Sequence, residues 1–244
     1  MSLIEINRQT CNQDGICAAV CPANLLDFRA GEYPVPVADV DELCIRCGHC
    51  VVACPSSSLR HADIPLEQCP PVRKELLLSA EQTEQFLRNR RSIRNYRDKS
   101  VLREALQKLI EIARYAPSGH NTQGVQWLVL TDREELNRMV VMVGDWMRLM
   151  LINMKEFALS VHIDVALERL EAGEDVVLRD APVLIVAHAP KENMMAPATC
   201  TIALTYLELA ATGMGLGGCW AGYFNAAATN YPPLLTALGL PEGH

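Results

Sequence analysis

Seven cysteines crowd into the first 54 residues, and their spacing constrains the fold more than any other feature. Residues 44–55 read Cys-x2-Cys-x2-Cys-x3-Cys-Pro, with thiols at Cys44, Cys47, Cys50 and Cys54 and then Pro55. Residues 11–22 repeat the pattern with one exchange. Cys11, Cys17, Cys21 and Pro22 match, while Asp14 stands where a second cysteine would fall. Cys69, Cys200 and Cys219 are scattered and read as a linker residue and two packing thiols. No basic stretch followed by an apolar run opens the chain, so no secretory leader is expected. The most apolar stretch, 140–154, is interrupted by Asp145 and Arg148 and is too short to span a bilayer. The expected setting is a reducing cytoplasm with metal-bound thiolates rather than disulfides.

Composition adds room for more than one domain. The chain has 244 residues, half of them apolar, which permits one large or two modest domains with a buried core. Its 29 acids against 22 bases give a net charge of −7, which argues against a nucleic-acid-binding surface. Residues 1–75 are acidic, a weak pointer to docking on a basic redox partner. One segment runs the other way. Arg88, Arg90, Arg91, Arg94, Arg97, Lys99 and Arg103 are opposed there only by Asp98, which points to something anionic nearby.

Three thiols within seven residues, closed by Cys-Pro, resemble the ligand run of bacterial ferredoxins. Zinc is the competing reading, but structural zinc sites divide their ligands between two separated knuckles. In the interleaved arrangement of such runs, Cys21, Cys44, Cys47 and Cys50 hold one [4Fe–4S] cluster. Cys11, Cys17 and Cys54 hold the other, with Asp14 or no protein ligand on its fourth iron. Asp14 binding through a carboxylate oxygen gives a [4Fe–4S] cluster with one labile iron. Without it, the cluster is [3Fe–4S], and Asp14 is a solvated turn residue beside Gly15.

Turn formers break up the first part, and Cys69-Pro70-Pro71 disfavours helix. The expected division is an iron–sulfur domain over 1–68, a linker over 69–78 and a second domain over 79–244. In the latter, Ser79 with Gln82 forms a capping box that opens a helix through about Arg90. Leu102, Leu106, Leu109, Ile110 and Ala113 keep helical spacing until Pro117. Residues 125–131 and 183–188 read as strands. Residues 134–158 read as helix, with a bend at Gly144. Residues 197–212 are apolar almost all round, which predicts a buried helix. The fold class is α+β.

The basic segment contains Arg90-Arg91-Ser92-Ile93-Arg94. Ala116-Pro117-Ser118-Gly119-His120-Asn121-Thr122-Gln123 follows, and near the end comes Gly213-Met214-Gly215-Leu216-Gly217-Gly218-Cys219-Trp220-Ala221-Gly222. Guanidinium groups with a hydroxyl suit a phosphate monoester. Asn and Gln offer donors and acceptors to a polar ring edge, and a glycine-rich turn lets backbone approach a flat ring. Neither a dinucleotide fingerprint nor a phosphate-binding loop is present.

In this order the three segments closely resemble the FMN-dependent nitroreductase family. With the ferredoxin-type domain ahead of them, the chain is similar to iron–sulfur nitroreductase fusions. The resemblance implies a nitroreductase-fold α+β sandwich with a central sheet flanked by helices, behind a ferredoxin-like domain carrying two clusters. It implies FMN contacts from Arg90, Arg91, Ser92 and Arg94 to the phosphate and pyrimidine side. Pro117, Ser118, Asn121 and Gln123 reach the flavin from the loop, in this family often from the other protomer. Trp220, Ala221 and Gly222 pass along the ring near N5. A homodimer is implied too. Family members usually continue beyond a Leu-Pro-Glu-Gly-His-like stretch into a basic tail that helps hold the phosphate. Where that tail is lacking, the phosphate depends more on Arg90, Arg91 and Arg94.

The implied activity is an FMN oxidoreductase in which the flavin, rather than a catalytic side chain, carries the chemistry. Ferredoxin or NAD(P)H is the ultimate electron donor. The acceptor is a small electrophile: a nitroaromatic, quinone or activated alkene. The alternative is a non-catalytic electron-transfer or redox-sensing iron–sulfur flavoprotein.

Overall fold

A computed structural model describes residues 2–244. It divides into two compact units, Met1–Leu78 with His120–Thr122, and Ser79–Gly119 with Gln123–His244.

The first unit repeats one small device. β1 (Ile4–Ile6) leads to the first thiol run and α1 (Ile16–Ala19). The hairpin of β2 (Leu26–Asp27) and β3 (Val35–Pro36) follows, then α2 (Val40–Leu43), the second run, α3 (His49–Val52) and β4 (Leu59–His61). β4 returns antiparallel to β1, pairing Ile4 with His61 and Ile6 with Leu59. Both α1 and α3 open on a left-handed glycine, Gly15 and Gly48, and place a cysteine second, Cys17 and Cys50. A Cβ on Gly15 would stand 2.3 Å from the Phe28 ring, so glycine is required there for space as well as for its φ of 71°. The core is small: Leu3, Ile4, Leu25, Leu26, Val40, Val51 and Leu59 pack with the buried Cys17 and Cys50.

The second unit holds the larger core. α4 (Ala80–Asn89) begins with the expected capping box, Ser79 Oγ accepting from Gln82 N and Gln82 Oε1 from Ser79 N. α5 (Arg103–Ala113) buries Leu106, Leu109 and Ala113, the face its spacing predicts. β5 (Gln126–Leu130) precedes α6 (Arg133–Asn153), α7 (Lys155–Ser160) and α8 (Ile163–Glu171). β6 (Leu184–His188) pairs antiparallel with β5, Leu130 opposite Leu184 and Gln126 opposite His188. α9 (Ala196–Gly213), α10 (Gly222–Asn230) and α11 (Pro232–Ala237) complete the unit. Leu136, Met139, Val143 and Met147 of α6 pack with Ile163, Leu167, Phe224 and Leu234 in the main core. The result is the α+β arrangement expected.

Two local expectations change. Gly144 lies buried inside continuous α6, and the helical run breaks ten residues later, at Met154. Leu170 stands 3.0 Å from where a Gly144 Cβ would lie, so the glycine makes room for α8 and does not bend its helix. α9 buries one stripe, Thr199, Ala203, Leu207 and Ala211, against α5 and β6. Its Ile202 and Tyr206 are 36% and 39% exposed, so a helix apolar all round is covered on one flank only.

Candidate functional site

In the first unit the thiols line two separate cavities. The larger is a hollow of about 400 Å³ counting the solvent open to it, lined by Cys21, Cys44, Cys47 and Cys50 with Pro22, Leu26, His49 and His61. The smaller, about 310 Å³, is lined by Cys11, Cys17, Cys54 and Asp14 with Ser56, Ser58 and Leu59. Each run thus sends its last cysteine, the one before proline, to the cavity of the other run. The repeat explains this: Cys21 and Cys54 follow short helices that carry the chain across the unit.

Backbone amides turn toward these sulfurs. Leu25 N donates to Cys21 Sγ at 3.4 Å, Arg46 N to Cys44 Sγ at 3.4 Å, and Gln13 N to Cys11 Sγ at 3.5 Å. Cys54 Sγ accepts from Ser58 N at 3.2 Å and lies 3.6 Å from the Ser56 hydroxyl. Burial pushes the Cys50 thiol up to about 11, with the neighbouring Cys47, Cys21 and Cys44 adding to the shift. Cys17 is also raised by burial. Burial works the same way at Cys54, but bonds from the Ser56 hydroxyl and the amides of Leu59, Ser58 and Ser56 outweigh it and lower that thiol.

Among the described residues no three His, Cys, Asp or Glu side chains converge on a single metal ion. Walls of sulfur around a volume suit a cuboidal cluster, whose irons occupy separate corners, and four candidate ligands per cavity match its four irons. The residues fit two such clusters. Asp14 Oδ1 accepts from Ile16 N at 3.0 Å, which fixes its carboxylate at the rim of the smaller cavity.

In the second unit two of the three expected flavin segments, the arginine segment and the glycine turn, are brought together from distant sequence. Ile93 N donates to Gly218 O at 2.9 Å, tying the arginine segment to the glycine turn. A Cβ on Gly217 would lie 2.7 Å from Ile93 Cγ1, so this approach admits only glycine. Glu208 of α9 joins the same two segments, and sequence reasoning missed it. Its Oε1 accepts from Arg90 Nη1 at 3.2 Å, and its Oε2 from Trp220 Nε1 at 3.1 Å. The Glu208 side chain is only 13% exposed. Arg91 folds back to donate to Arg88 O and Arg90 O.

Ser92 is half-buried beside the exposed Arg94. Tyr96, two residues on, has its phenol raised by burial and by Cys219, with Arg179 and Arg94 opposing. Ser118 Oγ accepts from Gln123 N at 3.0 Å, and Pro117 is exposed beyond the end of α5. His120, Asn121 and Gln123 all take left-handed φ, a concentration of backbone strain typical of a working loop. Within the first unit, Asn121 Nδ2 donates to Ile45 O and Arg46 O, at 3.0 and 2.9 Å. Ala221 caps α10 and Gly222 begins it. A Cβ added at Gly218 or Gly222 meets nothing within 4 Å, so the backbone beside Trp220 faces open space. A basic segment held against a glycine turn with free space over it fits a flat, anionic group such as FMN.

A family model described as the nitroreductase family matches residues 87–244. The chain belongs to the nitroreductase family. A second model, a 4Fe-4S dicluster domain, matches residues 3–55. This nitroreductase-family chain is 41% identical over 68 residues to polyferredoxin protein MvhB of Methanothermus fervidus, covering 27% of this chain and 15% of that one. It is 26% identical over 142 residues to a Methanothermobacter thermautotrophicus protein named for NADH dehydrogenase/NAD(P)H nitroreductase, covering 57% and 59% of the two chains. It therefore spans under two thirds of either relative.

Among solved structures, an FMN-bound nitroreductase of Desulfitobacterium hafniense is 26% identical with a TM-score of 0.53, covering 66% of this chain and 82% of that one. An FMN-bound nitroreductase of Bacteroides fragilis, 23% identical with a TM-score of 0.56 over 67% and 82%, shares the fold. Among the described residues no helix is long and apolar enough to cross a membrane.

Proposed function

We propose that the chain is an FMN oxidoreductase supplied with electrons by its own two iron–sulfur clusters. The observation that carries this reading is the exchange of Cys21 and Cys54 between two thiol-lined cavities, in a chain whose residues 87–244 match the nitroreductase family. Cys21, Cys44, Cys47 and Cys50 hold one cluster. Cys11, Cys17 and Cys54, with Asp14, hold the other. The iron–sulfur domain runs over 1–68, the linker over 69–78 and the flavin domain over 79–244.

When bound, FMN links single-electron supply to two-electron reduction of a substrate. The chain's own residues position and polarise. Arg90, Arg91, Ser92 and Arg94 hold the phosphate and the pyrimidine side, and Glu208 fixes Arg90 and Trp220 in place. Pro117, Ser118, Asn121 and Gln123 border the flavin from the loop, and Trp220, Ala221 and Gly222 present backbone along the ring. Fixed guanidinium charge near the pyrimidine edge favours the more anionic, reduced state. The acceptor is a small flat electrophile: a nitroaromatic, quinone or activated alkene. Reduced ferredoxin is the favoured donor, with NAD(P)H as the competing one. The half-covered α9, with Ile202 and Tyr206 exposed, supports a homodimer.

Anaerobic purification followed by iron, sulfide and FMN counts tests the reading. Iron near zero with stoichiometric zinc, or no flavin, would overturn it. Stopped-flow reduction by ferredoxin and by NADPH then separates the donors. Rapid flavin reduction by NADPH in a cluster-free variant would remove the clusters from the route. Flavin that no acceptor reoxidises would mark an electron carrier or sensor.

A further inference from the structure

One histidine outside every motif reaches a thiol cavity. His61 closes β4 opposite Ile4, is 3% exposed and lines the larger cavity. Its Nδ1 accepts from the backbone N–H of Asp63 at 3.1 Å. A ring nitrogen that accepts carries no proton, so the neutral ring's proton sits on Nε2. Nε2 lies 3.6 Å from Cys44 Sγ, within the range of an N–H···S hydrogen bond. The turn that sets this tautomer is itself held. Arg46 Nε donates to Asp63 Oδ2 at 2.7 Å, and Arg46 N donates to the same Cys44 sulfur. The smaller cavity has no counterpart: its lining residues include no histidine, and Cys54 takes its bonds from Ser58 N and the Ser56 hydroxyl.

We propose that His61 donates its Nε2 proton in a hydrogen bond to the Cys44 thiolate and so raises the reduction potential of the Cys21/Cys44/Cys47/Cys50 cluster, leaving the other cluster untouched. The proposal rests on the ligand assignment above. One electron enters the cluster, no bond breaks, and the proton stays on Nε2. The reduced cluster carries more negative charge on its sulfurs, so a fixed donor stabilises it more than the oxidised one. His61 thereby biases which of the two clusters holds the electron.

The test is an EPR-monitored redox titration of the full chain, unaltered and as His61→Leu and His61→Gln, after iron and sulfide counts. In His61→Leu the reduced-to-oxidised ratio of one cluster at fixed potential should fall about tenfold, which is 59 mV for one electron. The second cluster should not move, and His61→Gln, which keeps an N–H donor, should recover most of the loss. Two unchanged potentials, or two equal shifts, would overturn the proposal. Should His61→Leu fail to assemble, pulsed EPR on His49→Gln protein labelled with 15N-histidine decides instead, since the exposed His49 lines the same cavity. Coupling of imidazole nitrogen to one reduced cluster supports the bond, and its absence from both refutes it. Fewer than two clusters' worth of iron in the unaltered protein would sink the ligand assignment and the proposal with it.

Discussion

Asp14 is one residue whose chemistry differs sharply from that of its counterpart in the repeat. It occupies the place of Cys47, and it lines a cavity whose other candidate ligands are the three thiols Cys11, Cys17 and Cys54. A hard oxygen donor binds iron less tenaciously than a thiolate among soft sulfur ligands. Asp14→Cys is therefore expected to slow iron loss from the Cys11/Cys17/Cys54 cluster under chelator, followed as the growth of a [3Fe–4S] EPR signal. Equal lability in both proteins would remove Asp14 from the ligand set. Glu208 matters in a different way, because two partners depend on one carboxylate. Glu208→Ala leaves the Arg90 guanidinium and the Trp220 indole without their acceptor, a loss of about 1–3 kcal/mol of local stability. FMN affinity, measured by fluorescence titration of apoprotein, should weaken with it, whereas Glu208→Gln should retain the Trp220 bond. Cys200 is raised by burial, so it carries less thiolate than an open thiol at any given pH below its own pKa. Its alkylation, read by mass spectrometry, should stay slow at pH 8 in folded protein and become fast on unfolding.

Elements show what local pattern could reveal. Ser79→Ala removes the acceptor for Gln82 N at the start of α4 and should cost about 1 kcal/mol, read in a denaturant titration. That cap was legible because Ser79 and Gln82 are three residues apart, and the thiol runs were legible for the same reason: ligand spacing is a local property. The Arg90–Glu208 bond spans 118 positions and left no trace in either segment. His61 carries no motif and gains its meaning only from the register of β4 against β1. The expected bend at Gly144 failed because space for Leu170, which sequence does not show, explains that glycine better than flexibility. For α9, apolar composition forecast burial on all sides, but which flank is covered depends on neighbours that composition does not name.

At the scale of the molecule, the two units differ in how they are held together. The first counts two of its candidate ligands, Cys17 and Cys50, among its core residues, which themselves line the two thiol hollows. A core this small cannot offset chain entropy without its metal contents. Anaerobic chelation of iron should abolish one calorimetric transition, assigned to residues 1–78, while the transition of the larger core survives. A single transition lost as a whole would contradict this. Net charge conceals the same division, since −7 overall includes seven bases in the sixteen residues from Arg88 to Arg103.

The crossing of the two thiol runs also orders events while the chain is being made. The larger cavity waits for Cys50 although Cys21 has long been synthesised, and the smaller one, begun at Cys11, is closed only by Cys54. Four residues separate the two completions. On the proposed ligand assignment, neither set of cysteines is complete until this short stretch has been made, so both clusters would be installed after residue 54 rather than one before the other.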